Sequence, residues 1–170
     1  MDPFRRILVP HDFSPHATRA LALAADLARV HGGRLLVLHV ITPFHPASDS
    51  GDSAGSLVGE DLIRSECARL ETAVRATVAG KDAPRVECRV EIGDPFRRIA
   101  DAAASVDSIV MATAGRTGLS HLVIGSVAEK VVRHASVPVL VVRPARDRTT
   151  APGSRRGGRR ARPALAVRPR

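Results

Sequence analysis

A chain of 170 residues, 44% of them hydrophobic, is long enough to bury the core of one domain and too short for two of ordinary size. With four Phe and no Trp or Tyr, that core is aliphatic, which argues against folds that hold nucleic-acid bases by aromatic stacking. The net charge of +9 is unevenly spread: nine Arg against Asp147 alone place +8 between Ala145 and Arg170, leaving +1 for everything before. Residues 1–144 therefore read as a nearly neutral folded domain, and 145–170 as an unstructured basic tail rich in Arg, Pro and Gly.

Cys67 and Cys88 lack the C-x-x-C spacing of zinc or redox sites and read as buried small apolar side chains. Met1 to Arg6 run straight into a short apolar segment instead of a signal-peptide core, and no stretch of about 18 apolar residues offers a membrane span. A soluble cytoplasmic protein is expected.

Arg6 to Pro10 is short, apolar throughout and closed by a turn, as suits a strand buried on both faces of a parallel sheet. Ser14 and Pro15 supply an N-cap and a first-turn proline for a helix to about His31. That helix sets Leu21, Ala24, Ala25 and Ala28 on one face, and Gly32-Gly33 ends it. Leu35 to Ile41 is a second buried strand, and residues 42–57, dense in Pro, Ser, Gly and Asp, read as a loop. A second helix carries Ile63, Cys67, Leu70, Val74 and Val78 on its apolar stripe. Arg85 to Ile92 alternates as a strand at a sheet edge.

Asp94-Pro95 caps a third helix bearing Phe96, Ile99, Ala100 and Ala103. Ser108 to Ala112 is a fourth strand, Ser126 to Ala135 a fourth helix with Val127, Val131 and Ala135 inward, and Val137 to Val142 a fifth strand. Strict β-α alternation with right-handed crossovers gives an α/β fold, an open doubly wound five-stranded parallel sheet. The order 3-2-1-4-5 puts its switch point between strands one and four, where such sheets bind ligands beyond their carboxyl ends.

Two segments reach that point, Pro10 to Ser14 and Ala112 to Ser126. In the second, glycines allow close backbone approach, and the helix start at Ser126 offers amides to a phosphate between Gly115 and Ser126. Ser126 and Glu129 equally make an S-x-x-E capping box, and glycines punctuate any loop. No Walker or G-x-G-x-x-G motif occurs.

These residues resemble the universal stress protein family. The match rests on Ile7-Leu8-Val9-Pro10 leading to Asp12-Phe13-Ser14, on His39-Val40, and on Gly115 followed by nine residues, Gly125-Ser126, a helix and the Pro138 to Val142 strand. It covers residues 4–143 and implies a Rossmann-like fold of the adenine nucleotide alpha hydrolase type. ATP-binding members carry G-x-x-G, nine residues, then G-[ST]; Ala112 stands at the first glycine and Ala114 where many members have histidine. The resemblance implies ATP as the ligand, with Mg2+ as a possible companion. Asp12 would meet the adenosine end with Pro10 and His11 beside it, while Val40, Met111 and Ala112 line the adenine pocket. Gly115, Gly125, Ser126 and Val127 would hold ribose and phosphates. Read without the family, Asp12 is a turn residue before the Ser14 cap.

Seven histidines form no H-x-x-x-H pair; His134 suits a helix dipole and His39 a packed strand position. No G-x-S-x-G elbow is present, so a regulatory binding module is expected, not an enzyme. The apolar fifth strand, Val139 to Val142, invites pairing into a homodimer. A nucleotide-free dimeric interaction protein and salt-dependent nucleic-acid or acidic-partner binding through the tail are the alternatives.

Overall fold

The computed structural model describes residues 2–43, 59–113 and 125–143. Among these residues nine elements alternate in chain order: β1 Arg6–Pro10, α1 Pro15–His31, β2 Arg34–Ile41, α2 Glu60–Thr77, β3 Arg85–Ile92, α3 Pro95–Ala103, β4 Ser108–Ala112, α4 Ser126–His134 and β5 Val139–Val142. Every strand pair is parallel, and the sheet order is β3-β2-β1-β4-β5, as the alternation requires. No helix among the described residues is long and apolar enough to cross a membrane. Gly115, most of the segment between β2 and α2, and the tail lie outside the described residues.

Side chains alternate across a strand, so each central strand feeds two cores. Ile7, Val9, Leu35, Val37 and Val110 pack with α1 and with Leu70 and Val74 of α2. Leu8, Leu36, Leu38, Ile109 and Met111 pack with Ile99 and Ala102 of α3 and Val131 of α4. Ile7, Leu8 and Val9 have no exposed surface, which is why β1 tolerates no polar residue on either side. Ala20, Ala24 and Ala28 line the buried stripe of α1, and their small side chains bring its axis close to the sheet.

Local chemistry sets the boundaries. Ser14 Oγ accepts the Ala17 N–H at 3.1 Å and Asp94 accepts the Arg97 N–H at 2.9 Å, each just before a first-turn proline. Gly32 ends α1 in the left-handed conformation, φ 59°. Pairing in β5 starts at Val139, later than expected, because Pro138 has no N–H; its carbonyl still accepts from Ile109 at 2.9 Å.

One inward position differs from the periodic reading. Ala102 is buried and Ala100 exposed, because α3 meets the sheet through the Ile99, Ala102, Ala103 face. In α4, Val127, Val131 and, just past the helix end, Ala135 face the core as expected, and Ala128 is buried beside them. Cys67 and Cys88 are free and half-buried, on α2 and the edge strand β3, where one face meets solvent. Burial pushes the Cys88 thiol up.

Gly33 owes its identity to space: an added Cβ would collide with the backbone carbonyl oxygen of Phe4. Gly33→Ala should lower unfolding free energy by about 2 kcal/mol, the scale of overpacking. Gly32→Ala, which meets open space but a left-handed φ, should cost about 1 kcal/mol. Urea unfolding of the two variants checks the order.

Candidate functional site

A pocket of about 530 Å³ opens at the carboxyl ends of the strands, where β1 and β4 diverge. Pro10, His11 and Asp12 enter from the end of β1, Val40 from β2, Met111 and Ala112 from β4, and Gly125, Ser126 and Val127 from the start of α4. Nine of the ten residues selected from sequence therefore line one cavity; Gly115, the tenth, lies outside the described residues.

The turn after β1 is tied down by its own side chains. Asp12 Oδ1 accepts the Ser14 N–H at 3.0 Å, so Asp12 fills the turn role and also lines the pocket. His11 Nδ1 accepts the Phe13 N–H at 3.2 Å. Phe13 itself sits at φ 64°, a conformation that a bulky side chain adopts at a cost of about 1–3 kcal/mol. Its ring is clamped on three sides: His39 at 4.5 Å, His11 edge-on at 5.4 Å between centroids, and the Arg69 guanidinium 3.9 Å above.

His39 is buried, as a packed strand histidine would be, and it also forms pocket wall. Its Nδ1 donates to the His11 carbonyl at 2.8 Å, since a carbonyl only accepts. Its Nε2 stands 3.8 Å from Glu66, which pairs with Arg69 at 3.4 Å. The α2 contribution, Leu62, Glu66 and Arg69, was not selected from sequence. Those residues lie off the Ile63-Cys67-Leu70 stripe, on the flank of the helix that overhangs the pocket, and periodicity alone marks that flank as solvent-facing.

At α4 the sequence allowed two readings, and the geometry separates them. Gly125 is the N-cap, Ser126 is already the first helical residue, and no side chain caps the helix, so the S-x-x-E capping box does not form. Among the described residues no side chain takes up the first-turn amides, and exposed Ser126 stands at the pocket rim. Gly125 N–H is anchored to Thr113 O, which ties the helix start to the end of β4. Ala112 remains in strand pairing with Val142, and its side chain packs against the α1/α2 core.

Opposite, β2 outruns β1. Pro10 pairs with Leu38, and Leu38 O accepts from His11 N at 2.8 Å. Alternate residues of a strand present N–H and C=O to the same neighbour, so Val40 aims both at the place β1 has vacated. No group of three His, Cys, Asp or Glu able to hold a metal occurs among the described residues.

This architecture agrees with comparison to known proteins. The chain matches the universal stress protein family over residues 3–143. It belongs to that family. A universal stress protein of Thermus aquaticus is 36% identical over 142 residues, covering 82% of this chain and 99% of the relative. The solved structure of the universal stress protein UspA from Lactobacillus plantarum is 28% identical with TM-score 0.68, covering 84% of this chain and all of its own. The universal stress protein from Archaeoglobus fulgidus in complex with dAMP is 28% identical with TM-score 0.58, covering 80% of this chain and 95% of that one.

Burial pushes the His11 imidazole below its ordinary pKa, with the Asp12 charge opposing and His39 and Arg69 adding to the shift. A histidine that resists protonation when folded binds fewer protons than the unfolded chain, so stability falls as pH drops below about 6.5. His11→Asn keeps an acceptor for the Phe13 N–H and removes the titration. Unfolding free energies from urea titration at pH 7.5 and 5.5 should differ less for the variant than for wild type, by up to about 1.4 kcal/mol per pH unit.

Proposed function

We propose that this universal stress protein is a regulatory module that binds an adenine nucleotide, ATP by preference, in the pocket between β1 and β4. The observation that carries the reading is the convergence there of an open Val40 backbone edge, the Asp12 carboxylate and the uncapped start of α4. An adenine edge offers one donor and one adjacent acceptor, matching the Val40 C=O and N–H. Asp12 would accept from ribose hydroxyls, and Gly125, Ser126 and Val127 would receive phosphates through amides and the Ser126 hydroxyl. The dAMP complex of the Archaeoglobus fulgidus protein supports the ligand class.

Pro10, His11, Met111 and Ala112 complete the wall in this reading, and Gly115 would join Gly125 around the phosphates. His11 holds its Nδ1 as acceptor, so the neutral ring carries its proton on Nε2, which has no partner among the described residues. Mg2+, if it accompanies the nucleotide, would be held chiefly by the phosphates. Signalling would run through α2, whose Glu66 and Arg69 border the pocket, and through partner choice; the reading is of a binder and not an enzyme. A homodimer through β5 fits its edge position and the exposed Leu140. The folded unit is taken as 1–144, in the cytoplasm, with the basic tail outside it.

Nucleotide should be released intact when freshly purified protein is denatured, and millimolar ATP should raise the melting temperature. Gly125→Val should abolish both effects while the apo fold persists, because φ −60° at Gly125 suits any residue. Unchanged melting at millimolar ATP, with no nucleotide released, would refute the proposal. Ala112→Gly separates two roles of the methyl group: since it packs in the core, stability should drop by about 1 kcal/mol with under about threefold change in ATP affinity. Calorimetric titration and urea unfolding of the same samples read both.

A further inference from the structure

At the opposite end of the sheet, three neighbouring strands open with arginine. Arg6 is in register with Arg34, and Arg34 with Arg85. Residues in register share a face, here the one on which Leu8 and Leu36 join the core beneath α3. Like charges directly opposite destabilise a sheet, so the row carries a cost.

The neighbouring carboxylates leave that cost largely unrelieved. Asp107 takes Arg6 through two hydrogen bonds, 2.9 and 3.2 Å. Glu87 takes Arg89, and Glu91 is shared between Arg89 and Arg98. Exposed Arg34 and Arg85 have no ion pair among the described residues, although Arg34 is near enough to contribute to the depressed pKa of Asp107. Around them lies a groove of about 390 Å³, walled by the Ser105-Val106 turn after α3 and, on β3, by Arg89 and the Glu87 carboxylate that Arg89 neutralises. A hollow of about 450 Å³ sharing the same arginines extends it to Arg5.

We propose that this groove binds a small polyphosphate anion of two or three linked phosphates. Guanidinium groups grip phosphate oxygens in pairs. Adjacent strands stand about 4.8 Å apart, so the row spans roughly 10 Å with closely spaced charges, whereas an extended acidic peptide presents same-side carboxylates about 6.7 Å apart. Among the described residues no aromatic side chain lines the groove, so a nucleic acid would find no stacking platform there. The chain's own tail, with nine Arg against one Asp, has the wrong sign to fill it.

Inorganic triphosphate titrated calorimetrically into the full chain tests this. Saturable one-to-one binding is expected, weakened at least about tenfold by Arg34→Gln with Arg85→Gln, and less than about threefold by Arg155→Gln with Arg156→Gln, which removes equal charge from the tail. Gly125→Val should leave it unchanged, so failure of the nucleotide reading and failure of this one are distinguishable. Arg85→Lys keeps charge and fold yet loses the fork, and should weaken binding about threefold. Equal loss from the tail pair, absence of saturation, or tighter binding of a short single-stranded oligonucleotide lost with the same two arginines would overturn the proposal.

Discussion

The pocket exists because β1 stops before β2 does. Pro10 is the last residue of β1 and pairs with Leu38, while β2 continues to Ile41 against β3. On the other side β4 ends at Ala112, tied to the start of α4 through the Gly125–Thr113 bond. Parallel strands of equal length would have carried the ladder past Val40 and buried its amide and carbonyl. Among the described residues, the early end of β1 leaves them without a strand partner on that side, at the switch point where successive crossovers leave on opposite faces.

Holding that gap open falls to the turn from His11 to Ser14. A left-handed phenylalanine is unstable alone, and it survives because its neighbours over-determine it. His11 receives its N–H, Asp12 fixes the next amide, and His39, His11 and Arg69 enclose the ring. The same side chains form pocket wall, so the strain and the cavity have one cause. Because Arg69 and Glu66 belong to α2, the orientation of that helix is coupled to the conformation of the turn. A ligand that touched either would feel the other.

The order of the strands was legible from apolar runs and punctuation, since each boundary has a local chemical cause: the Ser14 and Asp94 caps, the prolines after them, and Gly32 in the left-handed region. Nine of the chosen residues line one pocket because they sit at the ends of β1, β2 and β4 or at the start of α4, which topology alone brings together. Helix flanks were not. Leu62, Glu66 and Arg69 reach the pocket through the tilt of α2 over the sheet, a tertiary quantity that no periodicity reports. The capping box failed for a related reason: S-x-x-E names a spacing, but Gly125-Ser126 both fit the helix start, and backbone geometry chose the glycine as cap. On α3 the buried face takes Ala102 in place of Ala100, because a short helix gives periodicity few turns to average.

The two ends of the sheet differ in how they treat charge. At the carboxyl end, polar groups are matched in a chain of contacts from Arg69 through Glu66 and His39 to the His11 carbonyl, and burial suppresses the His11 charge. At the amino end, strand register forces arginines together and supplies one well-placed carboxylate, Asp107. Helix dipoles relieve part of that cost, because the helices run antiparallel to the strands and α1, α2 and α3 bring their partially negative carboxyl ends to the end of the sheet where the strands begin. The Gly32-Gly33 turn passes close to Phe4, so backbone occupies the space a carboxylate side chain would need between β1 and β2. The rest of the relief comes from solvent and ions, so the row is most costly at low ionic strength.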